Sequence, residues 1–313
     1  SYQQATGSRF GGDAEYNGEN RDSGAIMTYW FKKVDGTDKE KEETDADEAD
    51  EDEGEQADAG PSKDSIYLKI YDGSRLVRTL KRKIPDSSGL YKWRWRMDEA
   101  GTDRPSRTIR KRTNEPGGTS VKPGTYRVVL EHDGNTSAST IKVATDPRLD
   151  IPQQAITDSY NASKQLEKMT QTAADAVKQL VESKNTANDF SKKLAKEDKK
   201  KYKEEIDASK EIVKQVDSLI ALYIGKVDKR QGITRNPEIT VTQRIGQASW
   251  FSGSRPNILT QTDRSLIQQA KDELSGALQK TNSFFVTEWP KYRSKIEQIT
   301  LSPFKETKTI TLE

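Results

Sequence analysis

The hydrophobic pattern of this chain changes period once, and that change limits what the chain can fold into. Up to Pro147 apolar residues recur at alternate positions; beyond Pro152 they recur at spacings of three and four. A period of two puts alternate side chains on opposite faces of a strand, whereas a period of about 3.6 puts them on one side of a helix. The sequence therefore predicts a strand-built part followed by a helix-built part, an α+β multidomain chain.

The strand-built part is a series of short runs separated by turn residues. Residues 25–31 (Ala-Ile-Met-Thr-Tyr-Trp-Phe) read as a strand rich in aromatics. Residues 65–71 follow, then a hairpin turn at Asp72-Gly73 and a partner strand over 76–80. In residues 90–95, Tyr91, Trp93 and Trp95 alternate with Lys92 and Arg94, so one face is aromatic and the other cationic. A basic excursion rich in Gly and Pro occupies about 98–122. Pro123-Gly124 leads into a strand over 125–131, Asp133-Gly134 turns the chain, and 139–143 is the last strand of this part. Strands at this spacing predict an antiparallel sandwich, with the three aromatics as its core rather than as a sugar-stacking platform.

Beyond Pro152, Ile156, Tyr160, Ser163, Leu166, Met169, Ala173, Val177 and Leu180 form one helical stripe. Tyr202, Ile206, Ser209, Val213, Val216, Ile220 and Tyr223 form a second, and Leu266, Ala270, Leu274, Ala277, Thr281 and Phe285 a third. Trp289, Tyr292, Ile296 and Ile299 form a short fourth that begins beside Pro290. Narrow stripes on long helices predict an antiparallel α-helical bundle. Residues 225–262, with Gly225, Gly232, Pro237, Gly253 and Pro256 among them, read as a long irregular connection with a short helix near 240–250. Residues 308–312 alternate like a strand.

Composition sharpens this picture. Only 31% of the 313 residues are hydrophobic and 33% are charged, which favours thin modules over one large core. No apolar run is long enough for a membrane span, so no transmembrane segment is expected. No signal peptide is visible, and a processed or truncated start at Ser1 would explain that. With no cysteine, a disulfide framework and a thiolate metal site are excluded. Residues 35–58 hold 14 Asp/Glu and two Lys, a net of −12 against +2 for the whole chain, which leaves +14 elsewhere. That run has too little apolar surface to offset the entropy of ordering, and it reads as a disordered insertion over 35–63. A calcium site is the sharper alternative, but the EF-hand pattern is missing. The positive surplus is spread along helix faces rather than clustered, so no nucleic-acid partner is expected.

Four segments together resemble a known type of domain: Tyr67-Leu68-Lys69-Ile70-Tyr71-Asp72-Gly73, Leu76-Val77-Arg78-Thr79-Leu80, Gly89-Leu90-Tyr91-Lys92-Trp93-Arg94-Trp95 and Pro123-Gly124-Thr125-Tyr126-Arg127-Val128-Val129-Leu130. They are similar to the Ig-like domain of flagellar hook-capping proteins. Residues 18–148 as a whole resemble the C-terminal part of sortilin-like, BNR-repeat β-propeller proteins of Bacteroidota, often labelled glycosyl hydrolases. There a connector like Gly18-Glu19-Asn20 through Tyr29 leads from propeller to Ig-like domain, which ends like Lys142-Val143-Ala144-Thr145-Asp146-Pro147-Arg148 and is followed by helices. This chain has Arg21-Asp22 where the family has a proline pair, and the acidic insertion is also unusual. The resemblance implies a connector over 1–23, an Ig-like β-sandwich over 24–148 and a helical bundle over 149–313. It implies a secreted protein of the periplasm or cell surface, associated with the outer membrane. Any sialidase-like activity would reside in a propeller preceding this chain.

The residues themselves offer little catalytic chemistry. The only histidine, His132, lies beside a hairpin turn and reads as an exposed turn residue rather than part of a triad. No phosphate loop, dinucleotide fingerprint or Cys/His metal spacing is present. The carboxylates lack the rigid frame that a glycosidase pair needs. No cofactor, no metal site and no catalytic residue is expected, and the chain reads as a spacer and protein-binding scaffold. Two groups are candidate contacts for a protein partner in an envelope or surface complex, the upstream propeller included. One is Trp250-Phe251, an aromatic pair flanked by Ser and Gly in the irregular connection. The other is the basic stretch Arg104, Arg107, Arg110, Lys111 and Arg112, suited to an acidic partner.

Overall fold

The structure, a computed structural model, describes residues 24–33, 64–109, 112–227, 239–254 and 258–299. The expected connector, the acidic run, Arg110, Lys111, part of the 225–262 connection and the strand over 308–312 lie outside the described residues. Among the described residues the fold is mixed α/β, with antiparallel sheets and four helices and no barrel. It divides into two compact units: residues 1–100 with 120–146, and residues 101–119 with 147–313.

In the first unit, β2 (Ser65–Asp72), β3 (Arg75–Lys83), β7 (Gly124–His132) and β8 (Asn135–Val143) make a four-stranded antiparallel sheet in the order β3-β2-β7-β8. β1 (Ala25–Phe31) pairs antiparallel with β4 (Gly89–Trp95) in a separate two-stranded sheet, Met27 opposite Trp93 and Trp30 opposite Leu90. The hairpin turns follow their residues. Asp133 and Gly134 both take positive φ, as a two-residue turn matched to strand twist requires. β2 and β3 join through Gly73-Ser74, one residue later than the sequence suggested.

The alternation in β4 acts as expected. Trp93 and Trp95 are buried while Lys92 and Arg94 are exposed. They share one core with Phe31, Ile66, Leu68, Ile70, Val77 and Tyr126. Trp95 Nε1 donates to Asp98 O at 2.9 Å, which satisfies the indole. The sequence reading missed two short strands that bracket the excursion, β5 (Asp98–Ala100) and β6 (Gly117–Ser120). β5 is tied to β3 by charge: both Arg75 nitrogens reach the buried Glu99 carboxylate, at 3.2 and 2.9 Å, and Arg78 Nη1 donates to Glu99 O at 3.2 Å.

In the second unit, α1 (Gln153–Asp198), α2 (Lys203–Ile224), α3 (Val241–Gly253) and α4 (Gln261–Glu297) surround one apolar core. The core takes Leu166, Val177 and Leu180 from α1, Val216 and Ile220 from α2, Ile245 and Ala248 from α3, and Ala270 and Leu274 from α4. The third and fourth stripes are not separate helices. α4 runs continuously through Pro290. Proline removes the hydrogen bond to the carbonyl four residues back, that of Val286. Val286 is 75% exposed, so water can serve that carbonyl, and Tyr292 and Ile296 carry the apolar stripe onward into the core. None of the described helices is long and apolar enough to cross a membrane.

Candidate functional site

The second unit holds the described members of both groups that the sequence singled out. α3 starts at a capping box, in which Gln243 N donates to Thr240 Oγ1 at 3.2 Å and Thr240 N donates back to Gln243 Oε1 at 3.0 Å. The short helix expected near 240–250 is present and runs on to Gly253, so Trp250 and Phe251 stand on its last turns and not in an irregular segment. Their rings meet edge to face, with centroids 4.8 Å apart and planes at 88°. Phe251 is half-buried, whereas Trp250 is 67% exposed. Ser252, the next residue, is buried and donates to Ala248 O.

The basic excursion, residues 101–119, is fastened to the helices. Gly101 N donates to Pro116 O at 2.8 Å and closes its base. Asp103 N donates to Gln171 Oε1 of α1 at 3.1 Å. Thr119 donates to Glu167 Oε1 of α1 through both its amide and its hydroxyl, and Lys164 Nζ holds the second Glu167 oxygen at 2.5 Å. Arg107 Nη2 donates to Gly225 O, just past the end of α2. Helix ends leave carbonyls without intrahelical partners and carry partial negative charge, so a guanidinium is well matched there.

Thus Arg107 is used within the chain. Arg112 pairs with Asp103 at 3.0 Å, an exposed pair that contributes little to stability. Arg104, like Arg112, stays exposed, and it lines two cavities. A polar one of about 660 Å³ is bounded by Asp103, Arg104, Thr108 and Arg112 of the excursion and by Asp175 and Lys178 of α1. A smaller one of about 250 Å³ joins Arg104, Gly118 and Thr119 to Glu167 of α1 and to Ser249 and Ser252 of α3. Arg104 and the α3 turn that carries Trp250 therefore border a common space. The linings mix cations and hydroxyls with the carboxylates of Asp103, Asp175 and Glu167, a polar surface that can hydrogen-bond a partner, and Trp250 adds an exposed indole on the neighbouring α3 turn. Sequence reasoning missed Glu167, Gln171, Lys178, Ser249 and Ser252, which single residues on a charged helix face do not advertise.

Other candidates resolve differently. His132 is half-buried at the end of β7 rather than exposed in a turn: Nδ1 lies 3.2 Å from Ser65 O, and its ring meets Phe31 edge-on at 5.4 Å. Trp93 and Trp95 are 4% and 0% exposed, which closes them to a ligand. Among the described residues, no group of three or more His, Cys, Asp or Glu is placed to hold a metal ion. No family model, no curated protein and no solved structure matches this chain.

Proposed function

We propose that this chain is a non-catalytic interaction and assembly segment of a secreted or cell-surface bacterial protein. In this reading the strand-built unit is an Ig-like sandwich that serves as a spacer. The helical unit is an antiparallel bundle that presents Arg104 and Trp250 to a protein partner with an acidic surface. The observation that carries the proposal is the pinned excursion: four hydrogen bonds from Asp103, Arg107 and Thr119 hold a cation-bearing loop against the helices. A loop fixed in advance loses less entropy on binding than a free one.

A second reading follows from the sequence resemblance. The chain would be the C-terminal accessory region of a sortilin-like β-propeller glycoside hydrolase, with the propeller as the partner. Both readings make the same demand on the purified chain: a panel of glycosides and esters should show no turnover that a point substitution here abolishes. Partners captured from envelope extracts by the intact chain should be lost with Trp250→Ser combined with Arg104→Glu. An unchanged partner set, or turnover that depends on a residue of this chain, would overturn the proposal.

A further inference from the structure

The two-stranded β1–β4 sheet turns one face to solvent, and that face has a pattern. It holds three cross-strand rows: Ile26 opposite Arg94, Thr28 opposite Lys92 and Trp30 opposite Leu90. All six residues are exposed, and the apolar ones strongly: Ile26 50%, Trp30 64% and Leu90 70%. Single exposed apolar residues need no explanation, but Trp30 and Leu90 stand directly opposite each other as an exposed apolar pair, with Ile26 two rows along the same face, and such a grouping on a regular sheet marks a binding surface. These six residues include two cations and no carboxylate. Among the described residues β1 pairs with β4 alone, and its seven residues include neither a charge nor a proline, so it lacks the usual protection of an edge strand.

We propose that β1 and this face bind an extended, acidic–apolar segment of a partner protein, which adds a strand to the β1 edge. The added strand would lie about 4.8 Å from β1. Its same-face side chains would fall beside Ile26, Thr28 and Trp30 in turn. The rows beside Ile26 and Trp30 call for apolar side chains. The middle row calls for a carboxylate, because Thr28 is short enough for Glu or Asp to reach across it to Lys92. The recognised pattern is therefore apolar-x-acidic-x-apolar, and it reads the same in either strand direction. A lipid surface fits less well, since it cannot satisfy the backbone groups of an open sheet edge. A second copy of the same face would set Lys92 and Arg94 against their equivalents.

Fluorescence anisotropy on the full chain tests this, with a short labelled threonine peptide carrying valine, glutamate and valine at alternate positions. A counterpart with lysine in place of the glutamate is the control. The glutamate peptide should bind, more weakly as salt rises, and the lysine peptide should not. Trp30→Ser should weaken binding about tenfold or more, as expected for an interfacial anchor. Lys92→Glu should reverse the preference between the two peptides. Both side chains are exposed, so the melting temperature should not move and loss of folding can be separated from loss of binding. Equal binding of both peptides, or binding indifferent to Trp30→Ser, would overturn the proposal. So would self-association in sedimentation that Trp30→Ser abolishes, or binding only to anionic vesicles. Peptide binding that appears only after residues 35–58 are replaced by a Gly/Ser linker would assign the face to that acidic run and overturn it as well.

Discussion

A methyl group at position 118 has no room. A Cβ built there would lie 2.7 Å from Gly101 Cα and 2.8 Å from Glu167 Oε1, the oxygen that accepts both donors of Thr119. Gly118→Ala should therefore lift this end of the excursion from α1 and cost about 1–3 kcal/mol, the usual range for overpacking. A urea melt with and without the substitution measures it. Trp93 tests the other unit: it is buried among Ile66, Leu68 and Trp95, so Trp93→Ala should cost roughly 3–5 kcal/mol in the same assay. An unchanged melt would refute the core assignment. The two positions differ in how legible they were. Alternation over residues 90–95 announces Trp93, because its neighbours Lys92 and Arg94 must point the other way. Nothing near Glu167 announces its role, since its partner Thr119 lies 48 residues away.

At the scale of elements, apolar periodicity identified α1, α2 and α4 because their stripes are the core-facing residues themselves. It failed at Pro290, where proline chemistry suggested a boundary that tertiary packing overrides. It also could not foresee two buried hydroxyl pairs between α2 and α4. Tyr223 Oη lies 2.8 Å from Thr281 Oγ1, and Ser209 Oγ lies 2.9 Å from Tyr292 Oη. Polar positions inside an apolar stripe look like interruptions until their partners are known. Burial raises the pKa of both tyrosines, opposed by the hydrogen bonds that they share with Thr281 and Ser209. The sign follows from linkage. Below the unfolded-state value near 10 both states hold the phenol proton and stability does not change. As pH rises from there toward the raised folded-state value, the unfolded chain loses its proton first and stability falls. The Tyr223→Phe/Tyr292→Phe variant should thus show a shallower loss of stability above pH about 10 in pH-dependent urea melts. A slope equal to the parent's would mean that neither phenol resists ionisation.

Over the whole molecule, the period change near Pro152 corresponds to the division at 146/147, but the assignment of residues 101–119 to the helical unit was not visible. Read along the chain, the excursion is an insertion between strands; what joins it to the helices is a few isolated hydrogen bonds to Glu167, Gln171 and Gly225, which leave no periodic trace. Replacing residues 102–117 with a Gly/Ser linker should speed hydrogen exchange in α1 around Glu167 and Gln171 and at the C-terminal end of α2, and leave the amides of β2 and β7 unchanged. Equal exchange in the helices would show that the pins contribute nothing to their stability. The arrangement also bears on synthesis. Arg107 leaves the ribosome 118 residues before Gly225, its carbonyl acceptor. At roughly 5–20 residues per second that is a wait on the order of ten seconds. The strand-built unit can close as soon as residue 146 emerges, while the arginine-rich loop, which belongs to the helical unit, must stay unfastened until α1 and α2 have been translated. During that interval the nascent chain exposes a basic loop that the finished protein holds down, so chaperones and proteases meet a different molecule from the one that partners meet later.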